Sequence, residues 1–584
     1  MPSSAAERWV DDLMGRMALE HKIGQVLVFG FCGPVITPDV VELIRRYHIG
    51  GLRVTTKFRG MSLLSDLPPG ASLPAWKERS LRHPCGTARD YCDHHRPITC
   101  TPAQYADTLN RLRTMAMERA VPAPLHMACD QEGNAVDDMV IGQRLFPHPM
   151  AYAAAGDLEL CQRCATALAR QLRAQGIDMI HAPVLDVNVN PRNPEVGTRA
   201  YGDDPAMVTS YALATLRGFQ AAGLTATGKH FPGRGDSASD AHHGLPAVDC
   251  DRAALEAIHL APFAALIKAG LPAVMMAHSR YPALGVNDIP SSTSPAVIED
   301  LLRGELGFTG VVETDNMMMG GVLQLWDVVE ACIQAFAAGC DLLLLRDEGP
   351  VRLEVWQGLY EAVRSGRISE QRLDAAVQRI LHMRHAMGLA ANGGLVDPAL
   401  AGAPIDDPAT VSAAHDIAQA SALLLRDRSG LLPISAEARV LLIEQVFPTH
   451  LHAHNHYSHP GLLWEALVAN GAEVGCVEVP YRPGPEDLER VRRRLAAEPF
   501  DVVVTTNYYY HKDGPDGGAL RDLLKATGLP LVVVSNTPYR FALDDDLDTV
   551  VTIFHPGAPE HMQAAADIIL GRLTAQARVP VQAL

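Results

Sequence analysis

Positive charge, aromatic side chains, long apolar runs and a paired cysteine framework are all scarce in this 584-residue chain. Lys plus Arg number 50 against 67 Asp plus Glu, a net of -17, with no extended basic run to offset it. Polyanions are held chiefly by Lys and Arg, so no nucleic-acid partner is expected. No segment reaches the roughly 18 uncharged apolar residues of a membrane span. Met1 to Arg16 also lacks the basic start and apolar core of a secretory leader. The expectation is a cytoplasmic protein with no membrane partner. Eleven cysteines are an odd number, and Cys32, Cys129, Cys332 and Cys340 sit inside apolar runs. That suits reduced, buried thiols rather than a disulfide scaffold. Aromatics are only 5%, but 48% of residues are hydrophobic and 20% charged, the composition of a folded globular chain.

What is present is alternation. After an amphipathic opening helix with Trp9, Leu13 and Met17 on one face, short apolar runs alternate with helical patterns eight times. The runs are Ile23–Phe29, Gly51–Val54, Pro124–Asp130, Asp178–Val187, Thr225–Lys229, Ala273–His278, Gly310–Asp315 and Asp341–Leu345. Helical stretches follow each, one of them opened by Thr101-Pro102, an N-cap side chain followed by proline in the first turn. Eight strand-helix units in about 350 residues predict an α/β fold whose first part, residues 1–389, is a (β/α)8 TIM-like barrel. Active sites of such barrels lie at the C-terminal strand ends. Here the runs close on Asp130, Asp186, Lys229 with His230, His278, Asp315, and Arg346 with Asp347.

Three regions stand apart from this pattern. An insertion at about 55–99 carries His83, Cys85, Cys92, His94, His95 and, just after it, Cys100; their spacing is not a paired zinc pattern, and a reduced insertion is favoured over a metal site. Residues 390–408 read as a Gly/Pro/Asp-rich linker, and 409–584 as a smaller α/β sandwich domain with runs at Val440–Glu444, Val502–Thr505, Leu531–Ser535 and Val550–Phe554. That domain holds His450, His452, His454, His456 and His459, and the loop Tyr508-Tyr509-Tyr510-His511. Metal capture is one reading of the histidines. A solvated loop or a contact in a homo-oligomer is favoured, with these loops leaning over the barrel mouth or a partner subunit.

The densest collection of chemistry is Lys229-His230-Phe231-Pro232-Gly233-Arg234-Gly235-Asp236-Ser237-Ala238-Ser239-Asp240-Ala241-His242-His243-Gly244-Leu245-Pro246. A loop this broken and this titratable is more often a site than a spacer. It resembles the signature of glycoside hydrolase family 3, in the branch of bacterial β-N-acetylglucosaminidases: Lys-His-Phe-Pro-Gly-His-Gly-Asp-Thr, two variable residues, Asp-Ser-His, two more, then Leu-Pro. The departures are Arg234 for His, Ser237 for Thr and Ala241 for Ser. A second stretch, Gly307-Phe308-Thr309-Gly310-Val311-Val312-Glu313-Thr314-Asp315-Asn316, is similar to the family's nucleophile motif, with Asn316 replacing a second acid.

The resemblance implies a β-glycosidase that needs one carboxylate to attack the anomeric carbon and one group to protonate the leaving oxygen and later activate water. It assigns the first role to Asp315 rather than to a helix N-cap. The second goes to His242 paired with Asp240, since a carboxylate beside an imidazole fixes its tautomer and favours its charged form. His243 is the competing imidazole, and the Asp-x-His register favours His242. Asp130 (in Asp-Gln-Glu-Gly), Arg199, Lys229 and His230 are implied to hold sugar hydroxyls, while Asp186 is read as structural. The usual Gly-Arg-Val after Asp-Gln-Glu-Gly is replaced by Asn134-Ala135-Val136, so the preferred sugar could differ. The expected activity is exo-acting, retaining release of one β-linked sugar, most simply N-acetylglucosamine, from an oligosaccharide or small glycoside, with no metal or organic cofactor. The alternatives are a glycoside phosphorylase or β-glucosidase on the same scaffold, and a catalytically silent carbohydrate-binding protein.

Overall fold

The computed structural model describes residues 4–56, 100–446, 461–509 and 518–582, apart from positions 135, 141, 243, 347 and 436. The insertion with its His/Cys cluster (Cys100 excepted), the His450–His459 run, Tyr510, His511 and the competing His243 lie outside the described residues. Eight parallel strands form the first sheet: β1 (Leu27–Cys32), β2 (Gly51–Thr55), β3 (His126–Cys129), β4 (Met179–Ile180), β5 (Thr225–Phe231), β6 (Ala273–Met276), β7 (Val311–Thr314) and β8 (Leu343–Leu345). Each pairs with its sequence neighbours, β8 returns to β1, and a bridge between Glu313 and Leu342 closes the ring. The barrel strands are buried almost throughout, as expected of parallel strands covered by helices outside and packed side chains within.

The helices form where caps and apolar spacing coincide. Thr101 Oγ1 accepts from Gln104 N at 3.2 Å while Gln104 Oε1 accepts from Thr101 N at 2.8 Å, a reciprocal cap that starts the helix Pro102–Met117 with proline where no N–H is needed. The opening helix, Ala5–Arg16, buries Val10 and Leu13. Three expectations shift. The first apolar run divides into a helix, Leu19–Gln25, and then β1, because short apolar runs carry no decisive period and Ile23 is buried from a helix as well as from a strand. Only two residues of Asp178–Val187 form β4; Pro183 has no N–H to give a ladder, and beyond Ile180 the segment stays tied to the next strand by Thr227 N and Lys229 N donating to the Ala182 and Pro183 carbonyls and by the Val184–Lys229 bridge. The single helical stretch expected after the seventh run is two helices, Gly320–Leu323 and then Val328–Ala338, the second capped by Asp327.

Beyond the barrel, a six-stranded sheet is formed by β9 (Leu423–Asp427), β10 (Arg439–Val446), β11 (Glu473–Pro480), β12 (Val502–Asn507), β13 (Leu531–Ser535) and β14 (Thr549–Thr552), in the order β11-β10-β12-β13-β14-β9 with only β9 antiparallel. The helix Pro408–Ser421 turns Ala413, Ala414 and Ile417 into the barrel's core and Ala418 into this sheet's core, so one helix is shared between both parts. The sheet docks beside the mouth: Asn188 Nδ2 donates to Tyr539 Oη at 2.7 Å, His555 Nε2 stands 3.3 Å from Asp137 Oδ2, and Arg144 pairs with Glu560. Tyr508 is buried in the second sheet's own core rather than leaning over the mouth, and Tyr509 packs edge-on against Phe541.

Candidate active site

At β5 the chain leaves a regular strand. Lys229 pairs with Met275 and Phe231 with the next residue, Met276, so His230 is an extra residue in the ladder. Successive side chains of a plain strand point to opposite faces, and a bulge re-aims one of them. Lys229 and His230 thereby both reach the mouth. The loop beyond presses onto the segment after β4: a Cβ on Gly235 would lie 1.7 Å from the Val187 carbonyl oxygen, so only glycine fits there.

One side of the mouth is a closed charge network. Lys229 Nζ donates to Asp130 Oδ1 at 2.9 Å and contacts Glu132 Oε1 at 2.5 Å. Arg199 donates from Nε and Nη2 to the two oxygens of Glu132 at 2.7 and 2.9 Å, and from Nη1 to the Glu195 carbonyl at 2.7 Å. Arg53, inside β2, pairs with both Asp130 and Asp138. Below them His181 stands between Asp130 Oδ1 at 3.2 Å and Glu313 Oε2 at 3.4 Å, the latter a charge contact rather than an aligned hydrogen bond. Burial alone would depress the His181 imidazole, but Glu313 and Asp130 outweigh it and push it up to about 9. Burial would likewise raise Asp130, but Lys229 and Arg53 hold it well below the carboxylate range. Within this network Asp130 keeps 16% of its side chain open to solvent, whereas Lys229 keeps 3% and Glu132 none. Arg199 therefore belongs to a buried pair, not a surface one.

The facing arc is looser. Asp315 follows β7; its Oδ1 accepts from Asn316 N at 2.7 Å, and the short helix after it is capped at Met319, so Asp315 caps no helix. Its Oδ2 lies 3.7 Å from Arg234 Nη1 and 3.9 Å from His230 Nε2. Burial works to raise the Asp315 carboxyl, yet the His230 ring and the Arg234 guanidinium outweigh it and hold it below the usual range. Burial also drives His230 strongly towards its neutral form, so the standing positive charge is Arg234's. Hydrogen bonding agrees: Arg234 Nη2 can only donate to His230 Nε2 at 3.0 Å, which leaves the ring proton on Nδ1, donating to Asp186 Oδ2 at 2.8 Å. The hydroxyl contact expected of His230 is thus unavailable in this arrangement, because both ring nitrogens are engaged. Asp186, fully buried, holds the loop as expected, also accepting from Arg234 N at 2.8 Å.

His242 Nδ1 donates to Asp240 Oδ1 at 2.6 Å, and the same oxygen accepts from His242 N at 2.7 Å. The pair meets Asp315 through two residues that sequence reasoning did not place in the site. Contacts of 3.5, 3.2 and 3.7 Å lead from His242 Nδ1 to Glu195 Oε1, from Glu195 Oε1 to Arg234 Nη1, and from Arg234 Nη1 to Asp315 Oδ2. Arg234 stood out in the sequence only as a departure, and Glu195 only as an acid in a polar loop four residues before Arg199. Asn316, where the family motif has a second acid, accepts at its Oδ1 from Arg346 N at 3.1 Å and Met318 N at 3.3 Å. Among the described residues, Glu195, Asp240 and His242 are the group spaced to hold a metal ion, with ligand atoms within 4.8 Å of one another, but Arg234 already supplies positive charge there.

An eight-stranded parallel barrel with carboxylates, cations and an imidazole converging at its C-terminal strand ends, joined to a smaller sheet, is the class of protein defined here. The family model for the glycosyl hydrolase family 3 N-terminal domain matches residues 18–383, and the chain belongs to that family. It is 32% identical over 361 residues to β-hexosaminidase A of Pseudoalteromonas piscicida, covering 58% of this chain and 59% of that protein. It is 41% identical over 238 residues to a β-hexosaminidase of Xylella fastidiosa strain M23, covering 39% of this chain and 69% of that one. A solved family 3 β-N-acetylglucosaminidase from Paenibacillus sp. FPU-7 superposes with a TM-score of 0.82 at 30% identity, covering 97% of this chain and 99% of that one.

Proposed function

We propose that the protein is an exo-acting retaining β-glycosidase that removes a terminal β-linked N-acetylglucosamine. The observation that carries this reading is the run of contacts joining Asp315 to the Asp240–His242 pair across one mouth. In the first step an Asp315 oxygen bonds to the anomeric carbon, the bond to the leaving oxygen breaks with its electron pair, and that oxygen takes a proton from His242. In the second, water attacks the same carbon, gives its proton to His242, and the ester electrons return to Asp315. Nδ1 is committed to Asp240, so Nε2 carries the transferred proton. A carboxylate kept ionised by Arg234 is suited to attack, and Asp130 is the hydroxyl acceptor, backed by Lys229 and Arg199. The Paenibacillus β-N-acetylglucosaminidase supports N-acetylglucosamine as the sugar, and the Pseudoalteromonas relative, a β-hexosaminidase, supports a hexosaminide more broadly.

Glu195 beside His242 adds a negative charge where an incoming phosphate would sit, which favours water over phosphorolysis. Incubation with aryl β-N-acetylglucosaminide and aryl β-glucoside in phosphate buffer tests all three alternatives. Free N-acetylglucosamine is the expected product; sugar 1-phosphate, preference for the glucoside, or no turnover on either would each replace the reading. No described helix is long and apolar enough to cross a membrane. The cysteine usage supports a cytoplasmic location, to be checked by cell fractionation.

A further inference from the structure

Arg234 and Glu195 are both buried, yet neither is needed to hold the sugar in the reading above. Arg234 is fixed from three sides: its backbone N–H donates to Asp186, its carbonyl accepts from Asn193 Nδ2 at 2.8 Å, and its Nη2 donates to His230. Its remaining terminal nitrogen, Nη1, is divided between Glu195 Oε1 at 3.2 Å and Asp315 Oδ2 at 3.7 Å. Glu195 is fixed as firmly, since Asn193 Oδ1 accepts from its N–H at 2.9 Å and Arg199 holds its carbonyl. The same Oε1 that meets Arg234 lies 3.5 Å from His242 Nδ1. Among the described residues, the charged groups facing His242 are Asp240 from its own loop and Glu195 from the segment after β4, with Arg234, Arg199 and Asp315 behind them.

We propose that Glu195 and Arg234 are positioning residues that couple the charge on the nucleophile to the protonation of His242. The proposal rests on the roles given above to Asp315 and His242. In the free enzyme Arg234 is shared by two carboxylates, and Glu195 and Asp240 both face the Nδ1 edge of the His242 ring. When Asp315 becomes an ester its negative charge is gone. Arg234 is then left with Glu195 alone, which tightens that pair and weakens the hold of Glu195 on His242 Nδ1. Loss of one carboxylate's charge and partial loss of another's both favour the neutral ring, the form needed to accept a proton from water. One immobile guanidinium thus lets a single imidazole serve as acid first and base second.

The test is the pH dependence of kcat/KM, whose limbs report the ionisations of the free enzyme. Glu195→Gln, close to isosteric, should move the alkaline limb down by about one pH unit and cut turnover of poor leaving groups about tenfold, sparing activated aryl leaving groups. Arg234→Met removes a cation next to both carboxylates and should move both limbs up, opposite in sign on the alkaline side. A merely structural role would lower rates at every pH and leave the limbs in place, and that result in both variants would overturn the proposal. Should Glu195→Gln fail to fold by its melting curve, the Arg234→Met profile decides alone. Failure of the underlying reading looks different: Asp315→Asn would then turn over like the wild type.

Discussion

On the β2–β5 side of the mouth, Asp130, Glu132, Lys229 and Arg199 meet at 2.5–2.9 Å. On the β7 side, Asp315, Arg234, Glu195 and His242 stand 3.2–3.7 Å apart. Both are built from carboxylates and basic side chains. Direct pairing at hydrogen-bond distance makes the first a rigid cradle that can hold a polyol in one orientation. Looser spacing leaves the second with charge that is biased but not fully neutralised, and 17% of Asp315 and 32% of His242 stay open to a reactant. In the proposed reading, binding and chemistry are separated by how completely each set of charges is satisfied.

The largest effect that would break the comparison lies on the loose side. Asp315→Asn should lower turnover of aryl β-glycosides by about 10⁴-fold or more while leaving the melting temperature within a few degrees, since Asp315 holds no helix and pairs only weakly. On the tight side the pattern should reverse. Lys229→Met leaves Asp130 and Glu132 buried with one cation fewer, and breaking such a pair costs on the order of 3–5 kcal/mol. Thermal unfolding should show that loss with or without substrate, and an unchanged melting temperature would mean the cradle is not held by these charges.

A smaller effect concerns His181. Its folded-state pKa is raised to about 9, so the stability from its cationic form is complete below its ordinary value near 6.5 and is lost as pH rises through 9. The melting temperature should therefore fall by a few degrees across that window in the wild type and stay flatter in His181→Gln. The smallest is Asn316→Asp, which restores the family's second acid. The new oxygen can accept from Arg346 N and Met318 N as before, while its charge beside Asp315 should raise the acid limb of kcat/KM by a fraction of a unit and change the rate less than about threefold.

The barrel was legible because buried parallel strands make compact apolar runs separated by capped helices, and the strand-end rule places Asp130, Lys229 and Asp315 around one mouth from sequence alone. Two strands went unread, β9 and β11. Both are edge strands and partly exposed, so they lack the continuous apolar run that marked their neighbours. In the site, motif matching found residues on the elements it covered and could not show which loops converge. Arg53 read as part of an apolar strand because the barrel interior that accepts its charge is assembled from β3 and its loop, 77 and 85 residues further on at Asp130 and Asp138. Glu195 was missed for the same reason, its partners Arg234 and His242 lying beyond the next strand. The partners of His230 depend on a local detail that the motif did not reveal: with arginine instead of histidine at 234, a pure donor occupies Nε2.

The most direct measurement is peptide mass mapping after the enzyme is mixed with an activated fluorinated aryl glycoside whose glycosyl-enzyme ester breaks down slowly. The predicted result is one sugar mass added to the peptide carrying Asp315, absent in Asp315→Asn and discharged when an acceptor is added. An active enzyme that yields no adduct, or carries it on any other residue, would contradict the assignment.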